Sequence, residues 1–256
     1  MHAAKYPIGI VLSGGGARGI AHLGVLQALE EFGIQPSVIS GTSAGAIAGA
    51  FYAMGIPIPE ILSIIEKGQF FSFSNILIKK QGLFSMNGFE KIYRIYFPNN
   101  SFSDLQIPLF VAATDILKGE TVYFSSGNLS RSLLASSCIP VVFQPVDYNE
   151  TFYVDGGILN NFPIEPLLET CDTIIGVHVN SIQPEIDEIH MNNIIDRSVH
   201  LALSNSVRNK IKQCDLFIEP PGMSRFSIFD MKKAKEIFTY GYKYCLSLEN
   251  EIKGLL

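Results

Sequence analysis

Ser37-Val38-Ile39-Ser40-Gly41-Thr42-Ser43-Ala44-Gly45 carries an extended apolar segment into Gly-x-Ser-x-Gly, and small residues and good helix formers follow from Ala46 to Met54. That is the strand, sharp turn and helix which a nucleophile elbow requires. Gly41 and Gly45 flank the serine, so backbone and helix can approach without a Cβ clash. The Ser43 hydroxyl then stands at a helix N-terminus, where the dipole favours negative charge. A bare Gly-x-Ser-x-Gly also serves as a plain small-residue turn, so the rest of the chain has to decide.

Upstream, residues 8–12 form a short apolar run ending in Ser13-Gly14-Gly15-Gly16-Ala17-Arg18-Gly19. A helical pattern follows, with Ile20, Leu23, Gly24 and Ala28 on one face and Gly33 as its stop. Strand, glycine loop, helix, strand, elbow, helix argues a parallel sheet with helices on its faces. Gly14-x-Gly16-x-x-Gly19 fits the dinucleotide fingerprint, but that needs an acidic residue about 20 residues on, at the end of the second strand. No Asp or Glu lies between Phe32 and Ile58. The better reading is an anion cradle, with consecutive glycines exposing backbone N–H groups to an oxyanion. Arg18 adds a fixed positive charge or locks the loop.

Composition narrows the function classes. The 256 residues are 47% hydrophobic, enough for a sizeable core, and the expectation is a single domain over 1–256. A net charge of −5 disfavours nucleic acid. Cys138, Cys171, Cys214 and Cys245 are widely spaced with no C-x-x-C, so neither a metal site nor a disulfide framework is expected. The N-terminus shows no signal-peptide pattern, and no run of about 18 apolar residues exists to span a membrane. A cytoplasmic protein is expected, with any membrane contact peripheral and transient.

Further along, strands are expected over 108–116, 121–124, 146–148, 151–154, 173–179 and 216–218. Helices are expected over 60–67, 87–97, 129–138, 164–168, 194–211 and 231–252. The aromatic-rich segment 70–84 reads either as a cap over a lipid site or as ordinary covering core. The strand over 151–154 delivers Asp155-Gly156-Gly157, which alone would be a turn. Three glycine-associated elements thus sit where strands end, the edge at which open α/β sheets bind ligands. His178, His190 and His200 follow Asp155 in the order a Ser-Asp-His triad would need, but none stands in a motif. His22, in the helix after the glycine loop, reads as structural.

The glycine loop, the elbow and Asp155-Gly156-Gly157, in this order, resemble the patatin-like phospholipase family. So do Ala21-His22-Leu23-Gly24-Val25-Leu26 and Ala135-Ser136-Ser137-Cys138-Ile139-Pro140 followed by Phe143-Gln144-Pro145. The likeness runs over residues 8–166, with 167–256 completing the same domain. It implies a three-layer α/β/α sandwich around a mostly parallel mixed sheet. It implies Ser43 as nucleophile, Asp155 as its only catalytic partner, and Gly14, Gly15 and Gly16 as the oxyanion loop. Arg18, Gly41, Gly45, Gly156 and Gly157 support that site. The implied reaction is hydrolysis of acyl esters of phospholipids or lysophospholipids through an acyl-enzyme, with no metal or other cofactor. Acyl transfer from the same site and low-activity lipid binding are the alternatives.

Overall fold

The computed structural model describes residues 5–67, 86–140, 142–181, 201 and 207–255. Along the chain run β1 (Tyr6–Leu12), α1 (Ile20–Glu31), β2 (Val38–Thr42), α2 (Ala44–Ala53), α3 (Ile58–Glu66), α4 (Asn87–Tyr96) and β3 (Leu109–Asp115). They are followed by β4 (Glu120–Phe124), α5 (Leu129–Ser136), β5 (Val146–Tyr148), β6 (Thr151–Asp155), β7 (Cys171–Val177), β8 (Leu216–Ile218), α6 (Ala234–Ser247) and α7 (Glu249–Lys253).

The strands make one mixed, mostly parallel sheet in the order β5-β6-β3-β2-β1-β7-β8, with β4 also paired to β3. β1 is central, parallel to β2 and to β7. Its interior residues are apolar on both sides because both faces of a parallel sheet are covered. Ile10 and Leu12 join the large core under α1, α2, α4 and α5, while Val11 joins a smaller one with Phe162, Ile164 and Leu167.

Helices flank the sheet as the patatin-like resemblance implies. Two expected helices differ. The expected helix over 164–168 is replaced by turns from residue 165 on, because Pro166 interrupts the segment and disfavours helical backbone at Glu165, leaving too few residues to nucleate a helix. The expected helix over 231–252 opens as a 3₁₀ turn, Met231–Lys233, and breaks at Leu248, which caps α6 and starts α7. The segment 70–84, and residues 194–200 and 202–206 of the expected helix over 194–211, lie outside the described residues.

α1 and α6 cross at close range. A Cβ on Gly24 of α1 would stand 2.2 Å from the Phe238 carbonyl oxygen and 2.7 Å from the Tyr242 amide nitrogen. A Gly→Ala change inside a helix gains at most about 1 kcal/mol of propensity. Overpacking against fixed backbone costs about 1–3 kcal/mol, so the clash wins. Gly24→Ala should lower the thermal midpoint by roughly 2–8 °C; a midpoint equal to or above the parent's would show that the two helices separate freely.

Candidate active site

Strand β3 brings the site together. On one edge it carries β4, paired over Val111–Asp115. Its other edge carries β2, with Thr42 opposite Ala112, and then β6, with Asp155 opposite Ala113. β2 and β6 therefore meet end to end along one edge. The last residue of each arrives from opposite directions. Ser43 and Asp155, 112 residues apart, come within a hydrogen bond: Ser43 Oγ donates to Asp155 Oδ2 at 2.7 Å.

Ser43 sits on a strained turn, at φ 52° and ψ −121°, immediately before α2. A non-glycine residue at positive φ costs of order 1–3 kcal/mol and persists only where its surroundings over-determine it. Here the Ser43 N–H donates to Ser136 Oγ at 2.8 Å, and Ser136 Oγ donates to the Ala112 carbonyl at 2.6 Å. Gly45 permits the turn. A Cβ there would stand 2.2 Å from the Leu12 carbonyl oxygen. Gly41 lies in β2 itself.

Asp155 is 8% exposed and Ser43 7%. Besides Ser43, the carboxylate accepts the Gly157 N–H at 2.8 Å on Oδ1. Its backbone is held by Thr114 Oγ1 and by the Cys138 carbonyl. Gly156 and Gly157 open the 3₁₀ turn that follows. Burial pushes the Asp155 carboxyl up to about 6; its two hydrogen bonds oppose that rise without cancelling it.

The glycine loop passes beside Ser43 and is pinned from several sides. The Gly14 N–H donates to the Asn161 carbonyl at 3.2 Å, and the Gly14 carbonyl accepts Asn180 Nδ2 at 2.6 Å. The Gly15 and Gly16 amides have no acceptor among the described residues. Arg18 is buried rather than facing the cavity. Its Nε donates to the Phe226 carbonyl at 2.7 Å and its Nη1 to Asn180 Oδ1 at 3.4 Å.

An apolar cavity of about 90 Å³ opens at Ser43, with Ile20, Leu23, Ile47, Phe51, Phe89 and Phe143 among its walls. No described histidine lines it. His22 donates from Nε2 to the Ser13 carbonyl at 2.8 Å, and burial lowers it to about 4, so it stays neutral. His178 contacts Glu219 through Nδ1 at 2.6 Å and lies against Phe162 and Phe217. His190 and His200 lie outside the described residues. Among the described residues, no cluster of three or more His, Cys, Asp or Glu could hold a metal, and no helix is long and apolar enough to cross a membrane.

Three residues that hold this site carry no signal in the sequence reading. Ser136 lies inside the 135–140 stretch, which assigns it no role, and Asn161 and Asn180 stand in no motif. Register exposes the last. Leu12 pairs with Val177 across parallel β1 and β7, so residues a few beyond 177 must lie beside the glycine loop.

The family model for patatin-like phospholipases matches residues 10–168. A protein named lysophospholipase NTE1 from Cryptococcus neoformans is 37% identical over 182 residues, covering 68% of this chain and 11% of that protein. An uncharacterized NTE family protein of Mycobacterium bovis is 32% identical over 169 residues, covering 64% of this chain and 29% of its own length. This chain therefore spans less than a third of either relative. Among solved structures, VipD from Legionella pneumophila shares the fold at a TM-score of 0.55 and 17% identity, over 97% of this chain and 67% of that one.

The raised Asp155 carboxyl has a stability consequence. A carboxyl raised on folding binds more protons in the native state than in the unfolded chain. Its favourable contribution is full below the unfolded value of 3.8 and is lost as pH rises through about 6. Asp155→Asn should therefore gain stability relative to the parent by roughly 1–3 kcal/mol between pH 4 and pH 7. Denaturant unfolding of both proteins at the two pH values measures this, and a constant difference would mean that Asp155 is not raised.

Proposed function

The chain belongs to the patatin-like phospholipase family, and on that premise we propose that it is a lipid acyl hydrolase working through a Ser43–Asp155 pair. The observation that carries the reading is the 2.7 Å hydrogen bond from Ser43 Oγ to Asp155 Oδ2 at the mouth of an apolar cavity. The substrate class is an acyl ester of a phospholipid or lysophospholipid. Its chain would fill the cavity, and its ester carbonyl would rest over Ser43. The name of the fungal relative supports the same class.

In the proposed reaction Ser43 Oγ attacks the ester carbonyl carbon and its proton passes to Asp155 Oδ2. The negative charge that develops on the carbonyl oxygen is met by the Gly15 and Gly16 N–H groups, since the Gly14 N–H is already committed to Asn161. One such donor is typically worth about 2.7–4 kcal/mol. Collapse of the tetrahedral adduct breaks the ester C–O bond, and Asp155 returns the proton to the leaving alcohol. Water then attacks the acyl-Ser43 ester, giving a proton to Asp155; the acyl C–Oγ bond breaks, Asp155 returns the proton to Ser43 Oγ, and the free acid leaves. A group near 6 is a better base at neutral pH than an unperturbed carboxylate. The described C-terminal residues, 167–181 and 207–255, belong to the same working unit, because Asn180 and Phe226 hold the glycine loop.

On a soluble chromogenic acyl ester, Ser43→Ala and Asp155→Ala should each lower kcat by roughly 10³-fold or more. Parent turnover by either variant would sink the assignment. The base must be ionised to act, so parent kcat/KM should climb with pH through about 6 and then level off; a profile flat from pH 5 to 8 would exclude Asp155 as the base.

A further inference from the structure

We propose that Asn180 is a positioning residue for the oxyanion site, aiming the Gly15 amide through the carbonyl of Gly14. The proposal rests on the reading of Ser43 as nucleophile and of the glycine loop as its oxyanion donor.

The argument begins with one peptide unit. The Gly14 carbonyl and the Gly15 N–H belong to the same planar trans peptide group, so they point in opposite directions. Whatever fixes the carbonyl fixes the N–H. Asn180 Nδ2 donates to the Gly14 carbonyl at 2.6 Å. The Gly15 N–H is thereby turned away from Asn180. The Gly14 Cα beside it lies against Ser43, since a Cβ built on Gly14 would stand 3.3 Å from Ser43 Cβ. Two glycines in succession have no side chain to resist a flip of the peptide between them. The orientation must come from outside the loop.

Asn180 is itself held. It is 6% exposed. Arg18 Nη1 donates to its Oδ1 at 3.4 Å. A guanidinium only donates and a carbonyl only accepts, so the two neighbours admit one orientation of the Asn180 amide. The chain Arg18, Asn180, Gly14 carbonyl, Gly15 N–H is polarised in one sense, from a buried cation toward the amide that faces the developing charge. Hydrogen bonds in such a series strengthen one another. Packing adds to this. A Cβ on Gly15 would stand 2.7 Å from Val179 Cγ2 and 3.1 Å from Asn180 Oδ1, so the far side of the loop is closed. Ser13 is tied to the same segment through the Val179 N–H on its Oγ at 3.1 Å.

The arrangement predicts a loss confined to the step in which oxyanion forms. Asn180→Asp is the informative variant. It keeps the size of the side chain and its acceptor toward Arg18, but its carboxylate cannot donate to the Gly14 carbonyl. Asn180→Ala is the second variant, should the first disturb folding. We expect kcat on a soluble acyl ester to fall by roughly 10- to 100-fold while KM stays within about twofold.

Two inhibitors separate positioning from general damage. An alkyl trifluoromethyl ketone adds reversibly to a serine hydroxyl and places an oxyanion on the donors, whereas a fatty alcohol of equal chain length only fills the apolar cavity. The first should weaken by roughly the same factor as kcat, and the second should be unchanged. Equal weakening of both inhibitors, or parent kcat in both variants, overturns the proposal. Ser43→Ala run alongside tells the cases apart. If it too keeps parent activity, the nucleophile reading has failed and this inference with it; if it is inactive while Asn180→Asp is unimpaired, only this inference fails.

Discussion

Strand β3 lends a single edge to two strands that come from far apart in the chain and from opposite directions. β2 occupies the first half of that edge and β6 the second. The two cannot overlap, because each must satisfy its own backbone groups on β3. Their ends are forced to abut, and the residues at the abutment are Ser43 and Asp155. The distance between two side chains is thus set by a backbone ladder, the stiffest reference the fold offers. Thr114 adds a bond from β3 to the Asp155 carbonyl, and Ala112 supplies the carbonyl on which Ser136 anchors the elbow. Both halves of the pair thus refer back to β3, the elbow through Ala112 and the carboxylate strand through Ala113 and Thr114.

That frame explains how the strain at Ser43 is tolerated. A backbone at φ 52° is disfavoured for serine, and a loop would relax it. Here β2 enters the turn with its register fixed, and α2 leaves it packed against β2 and the large core. The Ser136 hydroxyl accepts the Ser43 N–H, which has no partner within the helix that follows. A net hydrogen bond of this kind is worth about 0.5–1.5 kcal/mol, which offsets part of the cost of the turn. The rest falls to the packing of α2 on the large core.

What was legible in the sequence follows from this geometry. The elbow, the glycine loop and Asp155-Gly156-Gly157 are each local, because a sharp turn or a close approach demands glycine or a small residue at fixed spacing. A buried parallel strand such as residues 8–12 is legible as a short apolar run. The pins are not. Ser136 is one of two adjacent serines, and only the rotation of α5 decides which one meets Ser43. Asn180 looks like any polar residue after a strand, and it gains meaning only when β7 is seen to pair with β1. Arg18 was legible as a special residue but not in its direction. It points into the protein, toward Phe226 and Asn180, which are remote in sequence. The short helix expected at 164–168 does not form because Pro163 looks like a helix start while Pro166, three residues on, disfavours helical backbone at Glu165.

The same dryness that suits an apolar substrate also sets the chemistry of the proposed base. A carboxylate in water is too weak a base to take a serine proton with useful frequency. Moving it under the end of β2 removes its solvation and raises it to about 6. The rise is limited by the two donors, Ser43 Oγ and the Gly157 N–H, that stabilise the ionised form. Further burial without them would leave the group protonated at neutral pH and useless as a base. Fewer walls would leave it ionised but feeble. The intermediate value is a balance between desolvation and two hydrogen-bond donors, and it makes a histidine relay unnecessary to the proposed step. It also accounts for the demand that the proposed reaction places on the glycine loop: a base of this strength leaves most of the stabilisation of the developing charge to fixed backbone amides.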